Sequence, residues 1–354
     1  MMNDNKYLSG IICEQLQAGL PIVLVSIVSV EGSTPRESGT KMVVDASGKS
    51  YGTVGGSLLE ATAIIESGKV LVEQQPKFTY FDLTNNETAH DGMICGGKAI
   101  LLLDFIPPTA GNRELFRQLY DAISGGKNFY FLTAFTDSNN AANIEGHCLL
   151  FSDGTLSGDN LLAKKDIPKI REELHNISST TIFPLGSRKF IIDPIRKLKT
   201  LYCFGAGHVA LPTAHIAAMV GFQVVVIDDR EEFANAKRFP EASHVYVIDD
   251  FRHALQNLNI DSDSFIVILT RGHTYDQVVL EQALKTDASY IGMIGSRSKR
   301  DATYKALIAE GLATSEDLER VHSPIGIAIG GETPEEIAVS IIAELIYERE
   351  QQKK

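Results

Sequence analysis

Leu201-Tyr202-Cys203-Phe204-Gly205-Ala206-Gly207-His208-Val209-Ala210 decides the fold of the second half of this chain. A short apolar run that breaks into G-x-G-x-x-A and then turns helical is the context in which that glycine pattern has meaning. Gly205 allows the tight turn, Gly207 lets a pyrophosphate approach the backbone, and Ala210 allows a helix to pack closely. About 20 residues on, a second apolar run ends at Asp228, where a carboxylate can take ribose hydroxyls and favour NAD over NADP. The same glycines also serve strand–helix packing alone, so the fold follows more directly than the ligand. From Thr200 onward strands are expected at 201–204, 223–227, 244–247, 265–269 and 290–294, with helices between them. That alternation predicts an α/β domain with a Rossmann-like parallel sheet covered on both faces.

Two further polar loops fall at strand ends of this sheet, where open α/β folds bind ligands. One is Thr270-Arg271-Gly272-His273-Thr274-Tyr275-Asp276, and the other is Gly295-Ser296-Arg297-Ser298-Lys299-Arg300. Arg271, His273, Asp276 and Arg297 either line an anion pocket or, for His273 and Asp276, cap the next helix. Thr333-Pro334-Glu335-Glu336 reads as a capping box with proline at the first helical position.

The first half reads as a mixed α+β module. A helix is expected over residues 6–19, a buried strand over 22–30, and a polar loop Glu31-Gly32-Ser33-Thr34-Pro35-Arg36-Glu37-Ser38-Gly39. Gly52-Thr53-Val54-Gly55-Gly56-Ser57 then opens a helix over 57–74 with Glu60 in its first turn, a setting that binds phosphate through free amides. Strands at 78–83 and 99–106 flank Met93-Ile94-Cys95-Gly96-Gly97. The glycines around Cys95 suit an exposed thiol, ligand or nucleophile, although most cysteines are buried small hydrophobes. Gly92–Ala99 nearly spells a Walker A loop, but Ala99 replaces the Ser/Thr that binds magnesium and a strand follows. Residues 107–195 carry no motif and either extend the module or shape a dimer contact. Asp193-Pro194 reads as the linker, dividing the chain into domains 1–195 and 196–354.

The 354 residues carry 33 basic and 45 acidic side chains, a formal charge of -12, which argues against nucleic acid and anionic membrane as partners. No apolar run is long enough to span a bilayer, and the first residues lack the pattern of a signal peptide. Four dispersed cysteines without a CxxC pair fit a reducing, cytoplasmic setting and give no zinc signature.

EGSTPRESGTKMVV, GTVGGSLLE, MICGG, CFGAGHVA, VVIDDRE, LTRGHTYD, YIGMIGSRSKR and SPIGIAIGGETPEEIA occur in this order. In that succession the chain resembles the xanthine dehydrogenase accessory factor (XdhC/CoxI) family over about residues 20–106 and 200–345. The resemblance implies a chaperone that binds molybdenum cofactor (molybdopterin) and delivers it in sulfurated form to a xanthine dehydrogenase-type molybdoenzyme, in cooperation with a cysteine desulfurase. It points to Gly32, Ser33, Pro35 and Arg36, to Gly55, Gly56 and Glu60, and to Cys95, Gly96 and Gly97. Cys95 is then a candidate ligand to the cofactor's metal. Where many relatives carry a third glycine or a cysteine, this chain has Ser57. In the second half, Gly205, Gly207, His208, Asp228 and residues 271–276 match. The competing readings are an NAD-dependent oxidoreductase with His273 and Asp276 as an acid–base pair, and a regulatory nucleotide sensor. A homodimer is expected because two-fold dimers are the commonest assembly.

Overall fold

A computed structural model describes residues 2–82, 97–138, 141–185 and 188–352. The chain divides into two compact units, Met1–Lys197 and Leu198–Lys354.

Among the described residues, the first unit is built on a ten-stranded antiparallel sheet. Its strands are β1 (Ile22–Glu31), β2 (Lys41–Asp45), β3 (Ser50–Gly52), β4 (Lys77–Asp82), β5 (Lys98–Ile106), β6 (Phe129–Ser138), β7 (Ala141–Phe151), β8 (Leu156–Gly158), β9 (Thr181–Leu185) and β10 (Arg188–Ile195). They run in the order β3-β2-β1-β5-β4-β7-β6-β10-β9, with β8 paired to β7. The motif-free residues after 107 therefore extend the module, joining it where Lys77 pairs with Ala141. Helices α1 (Met2–Gln17) and α3 (Ala110–Ser124) pack Leu8, Ile12, Leu16, Phe116 and Leu119 against one sheet face. Helix α2 (Ser57–Glu73) covers another region with Leu59, Ala63 and Val70, and α4 (Ile167–Leu174) contributes Ile170 and Leu174 to a third cluster.

Asp193 and Pro194 are not linker. They belong to β10, where Pro194 pairs with Tyr130 and lies beyond the stretch paired to β9, so its missing N–H interrupts no ladder there. Asp193 is buried, accepts from the Thr180 hydroxyl at 2.6 Å and forms an ion pair with Lys41. The connecting segment is residues 196–199.

A second buried polar pair sits in the same unit. His147 Nε2 lies 2.7 Å from Asp104, with the Phe131 ring stacked on the imidazole at 5.6 Å. Burial by itself would lower the His147 pKa, but the Asp104 carboxylate outweighs it and raises the pKa above its ordinary 6.5. A histidine raised in the folded state stabilises fully below pH 6.5, and that contribution fades as pH climbs through the raised value. Melting temperature should thus fall as pH rises above 6.5, and less so in His147→Gln. His322, raised chiefly by its hydrogen bond to Glu344, acts in the same direction and remains in the variant. An identical pH profile for variant and parent would refute the assignment to His147.

The second unit holds a six-stranded parallel sheet. Its strands are β11 (Thr200–Phe204), β12 (Gln223–Asp228), β13 (His244–Val247), β14 (Ser264–Ile268), β15 (Tyr290–Met293) and β16 (Val321–His322), in the order β13-β12-β11-β14-β15-β16. Alternate side chains of the central strands enter two separate cores. Leu201, Cys203, Phe265 and Val267 face α5 (Ala210–Met219) and α9 (Pro334–Gln351). Tyr202, Phe204, Ile266 and Ile268 face α6 (His273–Ala283), α7 (Arg297–Ala309) and α8 (Ser315–Glu319). Burial on both faces explains why these strands read as continuous apolar runs. Thr333 caps α9 with the expected capping box and Pro334 at its start.

Candidate functional site

In the first unit described residues of three motifs, Gly97 alone from the third, meet at one end of the sheet. A Cβ added to Gly97 would lie 2.6 Å from the Glu31 carbonyl oxygen and 2.5 Å from that of Ser33, so the strand entering β5 runs directly against the loop leaving β1. A Cβ on Gly55 would lie 3.2 Å from Pro35 Cβ and 3.5 Å from Arg36 Cγ. Gly55 has φ +135° and Gly56 +72°, conformations that an L side chain rarely adopts. Gly39, at the far end of the first loop, leaves room for the Thr180 hydroxyl.

Hydrogen bonds hold this junction in shape. The Thr34 hydroxyl donates to the Arg36 carbonyl at 2.9 Å, and the Thr53 hydroxyl donates to Glu60 while accepting from the Gly55 N–H at 3.2 Å. Glu60 therefore braces the glycine turn. Helix α2 starts at Gly56 without a side-chain cap, so its first amides point outward unpaired by a cap. Ser33 and Arg36 are exposed, and Arg36 Cγ lies against the Gly55 position that precedes this start. An uncapped helix start, a hydroxyl and a guanidinium are together suited to an anionic group such as phosphate.

Next to the junction lies a cavity of about 290 Å³ at the ends of β1, β4 and β5. Ser29 pairs with Ile100 and Ile100 with Tyr80; one step outward, Glu31 pairs with Lys98 and Lys98 with Asp82. Paired residues share a face, so these six side chains form two rows on one side of the sheet. The intervening row, Val30, Ala99 and Phe81, packs with α2 on the opposite side. Glu31, Tyr80 and Lys98 are exposed, while Ile100 borders a buried cluster of Val28, Phe78 and Leu102.

In the second unit the carboxyl ends of the strands form a separate polar edge. The switch point between β11 and β14 lies where Gly205, with φ +107°, presses on the Leu269 carbonyl; a Cβ there would come within 2.3 Å of that oxygen. Gly207 differs, since nothing lies within 4 Å of where its Cβ would be, and His208 beside it is exposed.

Asp228 stands at the end of β12 as expected, but its carboxylate is buried and taken. It accepts from the Ala206 N–H at 2.7 Å, from Arg230 Nε at 2.8 Å and from Arg230 Nη2 at 3.0 Å. Burial would raise its carboxyl, yet Arg230 and the Ala206 amide hold it below the usual range, while burial and a shared hydrogen bond push neighbouring Asp229 up. Arg271 donates to Asp229 at 2.7 Å.

Asp276 is fully buried and caps nothing. It accepts from the Thr270 hydroxyl at 2.5 Å and pairs with Lys299, for which Gly295 leaves space. Burial raises its carboxyl more than Lys299 and Thr270 lower it. The cap of α6 is the backbone of Gly272, and Arg297 is exposed at the first turn of α7.

Residues 15–82 match the XdhC and CoxI family, and residues 201–345 match the XdhC Rossmann domain. The chain belongs to the XdhC/CoxI family. It is 26% identical over 352 residues to a Bacillus subtilis protein named as a probable xanthine dehydrogenase subunit, covering 99% of this chain and 98% of that one. It is 21% identical to the Escherichia coli molybdenum cofactor insertion chaperone PaoD, covering 100% and 92%. A crystal structure of a xanthine dehydrogenase from Bacillus halodurans superposes with a TM-score of 0.80 at 26% identity, covering 99% and 97%. The uncharacterised E. coli protein YqeB is 24% identical over 92% of this chain, which spans 43% of its length.

For this XdhC/CoxI chain, the motif residues fall into two groups, one in each unit. Ser33, Arg36, Gly55, Gly56, Glu60 and Gly97 gather at the first-unit junction. Gly205, Gly207, His208, Asp228, Arg271, Asp276 and Arg297 lie along the carboxyl edge of the second-unit sheet. The backbone of His273 opens α6 on that edge. Cys95 and Gly96 lie outside the described residues. Burial pushes the thiols of Cys13 up to about 11 and of Cys148 and Cys203 up to about 12, which suits packing rather than reactivity. Sequence reasoning passed over Glu31, Tyr80 and Lys98, whose shared face emerges only from strand register. It also passed over Lys299 as the partner of Asp276. No helix among the described residues is long and apolar enough to cross a membrane.

Proposed function

We propose that this chain is a molybdenum cofactor-binding accessory protein that holds the sulfurated cofactor and delivers it to a xanthine dehydrogenase-type molybdenum hydroxylase. The observation that carries the reading is the junction itself: Gly97 against Glu31 and Ser33, and Gly55 against Pro35 and Arg36, unite three family motifs that are far apart in sequence. The alignment with an insertion chaperone over the whole chain supports it. The cofactor is cargo here, a pterin with a phosphate and a sulfur-ligated metal. Ser33, Arg36 and the uncapped start of α2 suit the phosphate, braced by Glu60. Cys95, a soft thiolate, is the proposed ligand on the metal side, with Gly96 and Gly97 beside it. The same reading takes a cysteine desulfurase as sulfur source, a homodimer as working form and the cytoplasm as the place of action.

In the second unit, the open space at Gly207 supports a nucleotide, NAD or another, along the Gly205–Ala210 turn. Its ribose reaches Asp228 only if Arg230 moves aside. The oxidoreductase alternative requires an accessible acid–base pair, and a fully buried Asp276 engaged by Thr270 and Lys299 favours the carrier.

Protein isolated from cells that make the cofactor should contain pterin and molybdenum in near-equal amounts. Arg36→Ala should weaken retention by about 1–3 kcal/mol, the scale of a charge-assisted hydrogen bond, with an unchanged melting temperature because Arg36 is exposed. Parent protein that carries neither pterin nor molybdenum would rule the carrier reading out.

A further inference from the structure

We propose that the cavity beside the junction is the seat of a pterin ring, with Glu31 reading the ring's amino edge. The inference rests on the cofactor-carrier reading and assigns a part of the cargo which the motif residues leave unheld. Ser33, Arg36 and the start of α2 offer groups for an anion and none for a flat heterocycle.

The cavity offers what such a ring needs. Its volume, about 290 Å³, stands at the lower end of small-molecule sites. Tyr80 presents an exposed aromatic ring, and Ile100 beside it in register adds an apolar floor. Glu31 and Lys98 are directly paired across β1 and β5, an acceptor next to a donor. A pterin edge carries the 2-amino group and N3–H as adjacent donors, followed by the 4-oxo acceptor. A carboxylate takes the two donors bidentately, as it takes a guanidinium, and an ammonium donates to the oxo group. Glu31 is also the residue whose carbonyl packs on Gly97, so the ring seat and the motif junction share one backbone.

The test uses two flat ligands of the same size on the full chain. Pterin carries the 2-amino group, and lumazine has an oxygen in its place. Parent protein should bind pterin about tenfold more tightly than lumazine, the loss expected when the Glu31 carboxylate faces an oxygen in place of a donor. Glu31→Gln should bring the two affinities together, with circular dichroism and melting unchanged for this exposed position. Tyr80→Ala should weaken both ligands by about tenfold, because stacking does not distinguish them. Equal affinities in the parent, or a preference that survives Glu31→Gln, would overturn the assignment. Cofactor content from producing cells separates the two ideas. If Glu31→Gln loads as fully as the parent, the ring seat is wrong and the carrier reading stands. A parent that prefers pterin but carries no cofactor keeps the ring seat and removes the carrier reading.

Discussion

Asp276→Asn is expected to destabilise the second unit by about 3–5 kcal/mol, whereas Asp276→Asn combined with Lys299→Met should cost far less. The reason lies in the asymmetry of a buried ion pair. Asp276 is fully buried and Lys299 nearly so, at 0% and 14% side-chain exposure. Burial raises the Asp276 carboxyl despite its partners, which means that desolvating this carboxylate costs more than Lys299 and Thr270 return. Asparagine keeps the acceptor for Thr270 but strands the Lys299 ammonium in the space that Gly295 leaves for its stem. Methionine fills that space without a charge. Denaturant unfolding followed by hydrogen exchange at Val267 and Ile268 of β14 reports on this unit directly. Single and double variants within about 1 kcal/mol of each other would mean that Lys299 finds water when Asp276 is neutral, and that the pair is not closed.

The legible parts of this chain were those whose physics is local. Strand, glycine turn and helix lie within ten residues in Leu201–Ala210, and each burial face of β11 follows from unbroken apolar character. The capping box at Thr333 was readable for the same reason. Asp228 shows where local reading stops. Its position at the strand end was visible, but Arg230, two residues on, looks in sequence like a free cation rather than the group that occupies the carboxylate. The Asp276–Lys299 pair spans 23 residues and exists only because β14 and β15 are neighbours. In the first unit the same difficulty grows. Asp193-Pro194, followed by three cations, has the composition of a linker, yet pairing with Tyr130 and Phe131 makes it strand. Glu31, Lys98 and Tyr80 come from three strands, and period-2 alternation assigns a face only after the register between strands is known.

Gly97→Ala should be the most damaging single change at the first-unit junction. The added methyl would stand 2.5 Å from the Ser33 carbonyl oxygen, 2.6 Å from that of Glu31 and 2.9 Å from the Ser33 carbonyl carbon. All three are backbone atoms, so no side chain can rotate away, and either β5 or the Glu31–Ser33 segment must shift. Glu31 and Lys98 pair across β1 and β5 one residue away, which transmits that shift to both the ladder and the cavity. Overpacking of this kind costs about 1–3 kcal/mol, and the larger consequence is functional. Ser33, Arg36 and the glycine turn lose their common geometry, so cofactor retention should fall well beyond the loss seen with Arg36→Ala. Gly68→Ala in α2 is the matching control. Nothing lies within 4 Å of its Cβ position, and alanine in a helix interior should raise stability by up to about 1 kcal/mol with retention unchanged. Melting temperature and pterin content measured for both variants decide the matter. If Gly97→Ala melts and loads like the parent, the close approach of Gly97 to Glu31 and Ser33 is not what holds the three motifs together.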